Sequence, residues 1–219
     1  MNISYISKYF LIPYFLFLIP YFHSMYSQWQ LAAKFLKHYL TSTSGKGHGM
    51  HSPFVFDFIT KVLNDKKHYP AYDKVEGLRQ QLLTDKTVLN IEDFGAGSSL
   101  TKTGQRTIAS IAANSAKPKK YGQLLYRMVK EYQPGAILEL GTSLGIGTSY
   151  LSLANPGSKV ITMEGAKEVA DKAGKNFKSL GLENISIVEG DFDQTLSSVI
   201  SSAIICLFIV PFEFLYSDQ

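Results

Sequence analysis

Residues 137–152 read ILELGTSLGIGTSYLS: an apolar run ending in Glu139 and Leu140, a turn with glycines at positions 141, 145 and 147, and a small-residue stretch that starts a helix. The segments that follow repeat the alternation. KVITME (159–164) reads as a strand, KEVADKAGKNFKSL (167–180) as an amphipathic helix and ISIVEG (185–190) as a further strand. Short apolar strands separated by helices of that length predict βαβ units, hence a parallel sheet with crossover connections.

Two stretches compete as a ligand-binding turn, EDFGAGSS (92–99) and ELGTSLGIGTS (139–149). Neither matches G-x-G-x-x-G, and neither carries the Lys-Ser/Thr of a P-loop, so a ligand without a pyrophosphate fits better than a dinucleotide. A nicotinamide-dependent oxidoreductase is disfavoured for the same reason. In units of this type an acidic residue at the end of the second strand takes ribose hydroxyls. Glu164 ends KVITME, whereas no strand and no acid follow Gly97 at the equivalent place. The second turn is therefore the binding turn, and EDFGAGSS reads as a structural or substrate-side turn.

The pattern E-x-G-x-x-x-G-x-G-T, the strand-ending Glu164 and EGDFDQTL after the third strand together resemble the cofactor site of class I S-adenosylmethionine-dependent methyltransferases. The stretch 119–154 is similar to the small bacterial O-methyltransferase-like branch, and the resemblance runs from about residue 45 to 196. It implies an α/β fold with a Rossmann-like parallel sheet, S-adenosylmethionine as cofactor and methyl transfer to an oxygen or nitrogen of a small molecule. The cofactor-binding residues it implies are Glu139, Gly141, Thr142, Ser143, Gly145, Gly147, Glu164, Gly165, Asp191 and Phe192. Gly141 and Gly145 would let backbone approach the methionine part, and Glu139 would sit near its amino group. Glu164 would accept from the ribose hydroxyls, Asp191 would take the adenine amino group and Phe192 would lie beside the ring. A helix N-cap is the competing reading of Asp191.

Upstream of residue 134 the grammar is helical. Residues 28–40, 53–65, 72–83, 106–113 and 121–132 read as helices, with Ser52 and Pro53 as N-cap and first-turn proline of the second. The expected organisation is an apolar extension over 1–24, a helical region over 25–133 and a partial Rossmann-like domain over 134–219. YFLIPYFLFLIPYF (9–22) is short for a spanning helix and holds Pro13 and Pro20. Its readings, in order, are misassigned translation upstream of Met25, a weak membrane anchor and a secretory signal.

The net charge of +4 is scattered, which gives no nucleic-acid footprint, and Cys206 as the single cysteine excludes an internal disulfide. These features point to a cytoplasmic chain, with membrane association through 9–22 as the alternative. His48 and His51 lack the neighbours of a zinc site, so no metal is expected; His51 is the candidate for a polar contact to substrate.

After residue 196 the expected pattern thins. Residues 203–210 read as a fourth strand, but no acidic catalytic group and no further strands follow, so a C-terminally truncated methyltransferase is expected. The alternative function is a non-catalytic remnant that at most binds cofactor or a partner. A parallel sheet stopping there would leave an apolar edge and favour a homodimer or aggregation.

Overall fold

The computed structural model describes residues 52–91, 104–202 and 207–209, and the chain divides into two compact units, 1–65 and 66–219. In the first unit, helix α1 (Pro53–Asp57) is capped by Ser52, whose hydroxyl accepts from the Val55 amide, and it continues as a π-helical turn over Phe58–Leu63. One continuous α-helix was the expectation. The difference has a local cause: the Thr60 hydroxyl donates to the Phe56 carbonyl at 2.8 Å, and the closing bond runs from the Asn64 amide to Ile59, five residues back.

The second unit opens with α2 (Pro70–Thr84), then strands β1 (Val88–Asn90) and β2 (Gln105–Thr107), which pair antiparallel. A helix from residue 106 was expected; instead Thr107 ends the strand and caps α3 (Ile108–Asn114), its hydroxyl accepting from the Ser110 amide. Helix α4 (Lys119–Tyr132) then leads into β3 (Ala136–Leu140). The alternation read from the sequence follows: α5 (Ile146–Ala154), β4 (Lys159–Glu164), α6 (Lys167–Leu180), β5 (Ile185–Glu189), α7 (Phe192–Ser202) and β6 (Leu207–Ile209).

The sheet order is β5-β4-β3-β6, all parallel. β3 therefore lies between a strand that follows it through one helix and a strand reached only after the chain has passed β4 and β5. In open α/β sheets the crevice outside the carboxyl ends of the strands at such a reversal is where ligands sit. The two faces sort the side chains by alternation. Ile137 and Val160 face the cluster formed with α2, α3, α4 and α5, while Leu138, Leu140, Ile161 and Met163 pack with Val199 of α7. Both faces being covered explains why β3 and β4 carry neighbouring apolar residues, Ile137 with Leu138 and Val160 with Ile161, rather than a strict apolar–polar alternation. α5 is apolar around most of its circumference because it is buried along nearly its whole length.

Candidate functional site

The glycine turn leaves β3 at its carboxyl end and bends by three left-handed residues in succession at odd positions: Gly141 (φ +85), Ser143 (φ +49) and Gly145 (φ +81). Gly145 has a second constraint, because a methyl on its Cα would run into the Phe177 ring of α6. The turn is also held from outside. The Gly141 and Thr142 amides both donate to the Met163 carbonyl, at 2.9 and 3.0 Å, and Asn176 Nδ2 of α6 donates to the Leu144 carbonyl at 2.9 Å. Ser149 returns its amide and hydroxyl to the Gly145 carbonyl, closing the first turn of α5.

Two carboxylates flank this turn. Glu164, at the end of β4, accepts from the Ser143 amide through Oε2 at 2.7 Å and from the Ala166 amide through Oε1 at 3.2 Å. Burial raises its carboxyl above the ordinary range, opposed by the amides of Ser143, Ala166 and Gly165. Glu139, inside β3, lies beneath the turn and is 6% exposed. Its Oε2 accepts from Thr148 at 2.5 Å and from Thr162, its cross-strand register partner, at 2.8 Å. Thr142 lies 2.7 Å from Thr162. Thr162 has a single hydroxyl proton and spends it on Glu139, so the Thr142 hydroxyl is the donor to Thr162. Desolvation pushes the Glu139 carboxyl up to about 7; the two threonine hydroxyls and the charge of Lys117 oppose that, and Glu164 adds to it. A Cβ on Gly147 would stand 2.9 Å from Glu139 Oε1, so a side chain there would press on that carboxyl oxygen.

The third strand ends close by. Glu189 is the register partner of Glu164, and the Gly190 amide donates to the Glu164 carbonyl at 3.0 Å. Gly190 has φ +127, and Asp191 and Phe192 follow at the start of α7, where the Asp191 carbonyl accepts from the Thr195 amide and hydroxyl. Glu139, Gly141, Thr142, Ser143, Gly145, Gly147, Glu164, Gly165, Asp191 and Phe192 thus all lie on or beside the carboxyl ends of three neighbouring strands. His51 and the EDFGAGSS turn lie outside the described residues.

Sequence reasoning missed two contributors. Thr162 sits in an apolar strand and looks like an ordinary β-branched residue; only its register opposite Glu139 gives it a role. Asn176 sits on a helix of alternating charge, and its burial at 6% exposure is what distinguishes it. Among the described residues no cluster of His, Cys, Asp or Glu is arranged to hold a metal ion.

No family model matches the chain. Over 78 residues the chain is 32% identical to the transmembrane O-methyltransferase homologs of Rattus norvegicus and Mus musculus, which is 34% of this chain and 30% of each relative. Among solved structures, the Podospora anserina methyltransferase bound to SAH aligns over 74% of this chain and 59% of its own length at 13% identity, with TM-score 0.48. The Streptomyces achromogenes O-methyltransferase TomG in complex with SAM aligns over 74% and 63% at 17% identity, with TM-score 0.47. The match thus spans about a third of the curated relatives and about three-fifths of these structures.

The cytoplasmic location expected from composition is corrected by the curated relatives, which are named transmembrane proteins. The alternative, association through residues 9–22, falls outside the described residues, and no helix among the described residues is long and apolar enough to cross a membrane. The relatives that share those 78 residues are named O-methyltransferase homologs.

Proposed function

We propose that the chain is an S-adenosylmethionine-dependent methyltransferase acting on an oxygen or nitrogen of a small molecule. The observation that supports this most directly is the Glu164 carboxylate at the strand end, fastened to the glycine turn yet not saturated by it. A carboxylate offers about four acceptor positions, and the amides of Ser143, Ala166 and Gly165 take up at most three of them, so capacity remains for a hydroxyl donor. That suits the vicinal hydroxyls of a ribose. The left-handed turn at 141–145 brings backbone rather than side chains to the face where the thioether end of such a ligand would lie.

In this reading Gly141, Thr142, Ser143, Gly145 and Gly147 form the wall along the methionine part, Glu164 and Gly165 take the ribose, and Asp191 and Phe192 flank the adenine. Glu139 positions the turn from below through Thr148, Thr162 and Thr142. The bound cofactor supplies a methyl group on a sulfonium, activated for in-line displacement. The protein's part is alignment, which needs a rigid turn.

Thermal unfolding of the full chain with S-adenosylhomocysteine, NAD and ATP in parallel tests this. The expected result is a rise in melting temperature with S-adenosylhomocysteine alone. A rise with NAD or ATP instead, or no rise with any, would overturn the proposal.

A further inference from the structure

Two consecutive residues of α6 hold the glycine turn from outside. Asn176 Nδ2 donates to the Leu144 carbonyl at 2.9 Å, and the Phe177 ring occupies the space that a Cβ on Gly145 would need. A carbonyl only accepts, so the amide nitrogen is the end of the Asn176 side chain that faces it. Asn176 and Leu144 are both buried.

These contacts meet on one peptide plane, the one between Leu144 and Gly145. A trans peptide points its carbonyl and its N–H in opposite directions. Here the carbonyl is bonded to Asn176, and the Gly145 N–H donates to the Thr142 carbonyl at 2.9 Å. The inner bond lies within the turn and holds its shape only locally; the outer bond ties that shape to the frame of α6. Without the outer bond a buried carbonyl loses its donor, and a rotation of the plane toward another donor relieves that cost. Gly145, having no Cβ, offers little resistance to such a rotation. Other long-range bonds of α6 lie one and two helical turns earlier: Lys172 Nζ donates to Asp85 Oδ2 at 2.9 Å, and Glu168 accepts from the Asn90 amide at 2.7 Å. Their partners lie outside the turn.

We infer that Asn176 is a positioning residue for the cofactor: by fixing the peptide plane between Leu144 and Gly145 it keeps the turn in its ligand-binding shape and so sets affinity without touching the ligand. This rests on the cofactor reading above and adds a residue that acts through the turn.

The test is calorimetric titration of the full chain with S-adenosylhomocysteine, for the wild type, Asn176→Ala, Asn176→Asp and Lys172→Met. Asn176→Ala should bind about tenfold more weakly, the size of one net hydrogen bond. Lys172→Met should bind as the wild type does, although it too loses a long-range bond of α6. Asn176→Asp keeps the shape but has no donor when ionised. Relative to the wild type at the same pH, it should be at least as weak as alanine at about pH 8 and recover at about pH 5, where its protonated oxygen donates to the carbonyl.

Linkage supplies a second measurement that needs no variant, because a bond that raises cofactor affinity tenfold is strengthened tenfold by the cofactor. On saturation of the wild type, exchange of the Asn176 side-chain amide protons should slow about tenfold more than exchange of those of Asn184, which donate to the Asn155 and Ser158 carbonyls just before β5. Wild-type affinity in Asn176→Ala, equal weakening in Lys172→Met, or equal slowing at the two asparagines would overturn the inference and leave the cofactor reading standing. A wild type that does not bind S-adenosylhomocysteine would overturn both. The exchange comparison decides even if the Asn176 variants fail to fold.

Discussion

The Ser143 amide donates to Glu164 Oε2 at 2.7 Å, so the middle of the glycine turn is fastened to the end of the next strand. Ser143 is a non-glycine residue at φ +49, a conformation that costs about 1–2 kcal/mol for an L-residue and persists where surrounding bonds over-determine it. Glu164→Ala should therefore lower stability by about 1–3 kcal/mol in urea unfolding and abolish cofactor binding. Glu164→Gln, which keeps one acceptor oxygen, should lose less stability. An alanine variant with unaltered stability would remove the turn-clamping role.

Glu139 should make stability pH-dependent. Its carboxyl is pushed from the ordinary 4.5 up to about 7 by desolvation, so the folded chain binds that proton more tightly than the unfolded chain. The stabilisation is therefore complete below the unfolded value and is lost as pH rises through the window between the two, a change on the order of 3 kcal/mol. Glu139→Gln should flatten this part of the profile, measured by chemical unfolding at about pH 5 and about pH 8. Parallel profiles for wild type and variant would show that Glu139 titrates elsewhere.

Gly145 and Phe177 should be energetically coupled. Gly145→Ala meets two costs, the left-handed φ at about 1–2 kcal/mol and the collision with the Phe177 ring at about 1–3 kcal/mol. Phe177→Leu removes the collision but not the backbone cost. A double-mutant cycle should thus show the pair less damaging together than the sum of the single changes. Strict additivity would contradict the close approach.

Glu76 of α2 links Arg79, whose Nε donates to both of its oxygens, to Tyr150 of α5, whose hydroxyl donates to Oε1, while Arg79 Nη2 donates to the Lys117 carbonyl; this arrangement predicts an asymmetry. Tyr150→Phe removes one hydrogen bond from a carboxylate that keeps Arg79, and should cost about 1–2 kcal/mol. Arg79→Met leaves Glu76 without its cation, with Tyr150 as its remaining donor, and takes the donor from the Lys117 carbonyl as well, and should cost about 3 kcal/mol or more. Similar losses in both variants, read from thermal or urea unfolding, would mean that Arg79 is solvent-compensated.

Much of this architecture is legible in the residues because local signals and tertiary packing agree. β3, β4, β5, α5 and α6 follow from apolar runs, glycine punctuation and helical stripes, and the sheet covers both faces as those runs require. The hairpin of β1 and β2 is not legible: VLN and QRT are three residues each, and their pairing lies between segments distant in sequence. The Asn90 amide and side chain bond Glu168 at 2.7 and 3.0 Å, tying that hairpin to α6, a long-range contact without a local signature. In the site, the glycines and Glu164 announce themselves through spacing. Thr162 and Asn176 do not, because their parts depend on register and burial.

The most direct test of the cofactor site is calorimetric titration of the full chain with S-adenosylhomocysteine, beside a folded Glu164→Ala variant. Saturable binding to one site in the wild type and its loss in the variant is the result predicted. A folded wild type that gives no binding, or a variant that binds as tightly, would contradict the assignment of the glycine turn and Glu164 to cofactor.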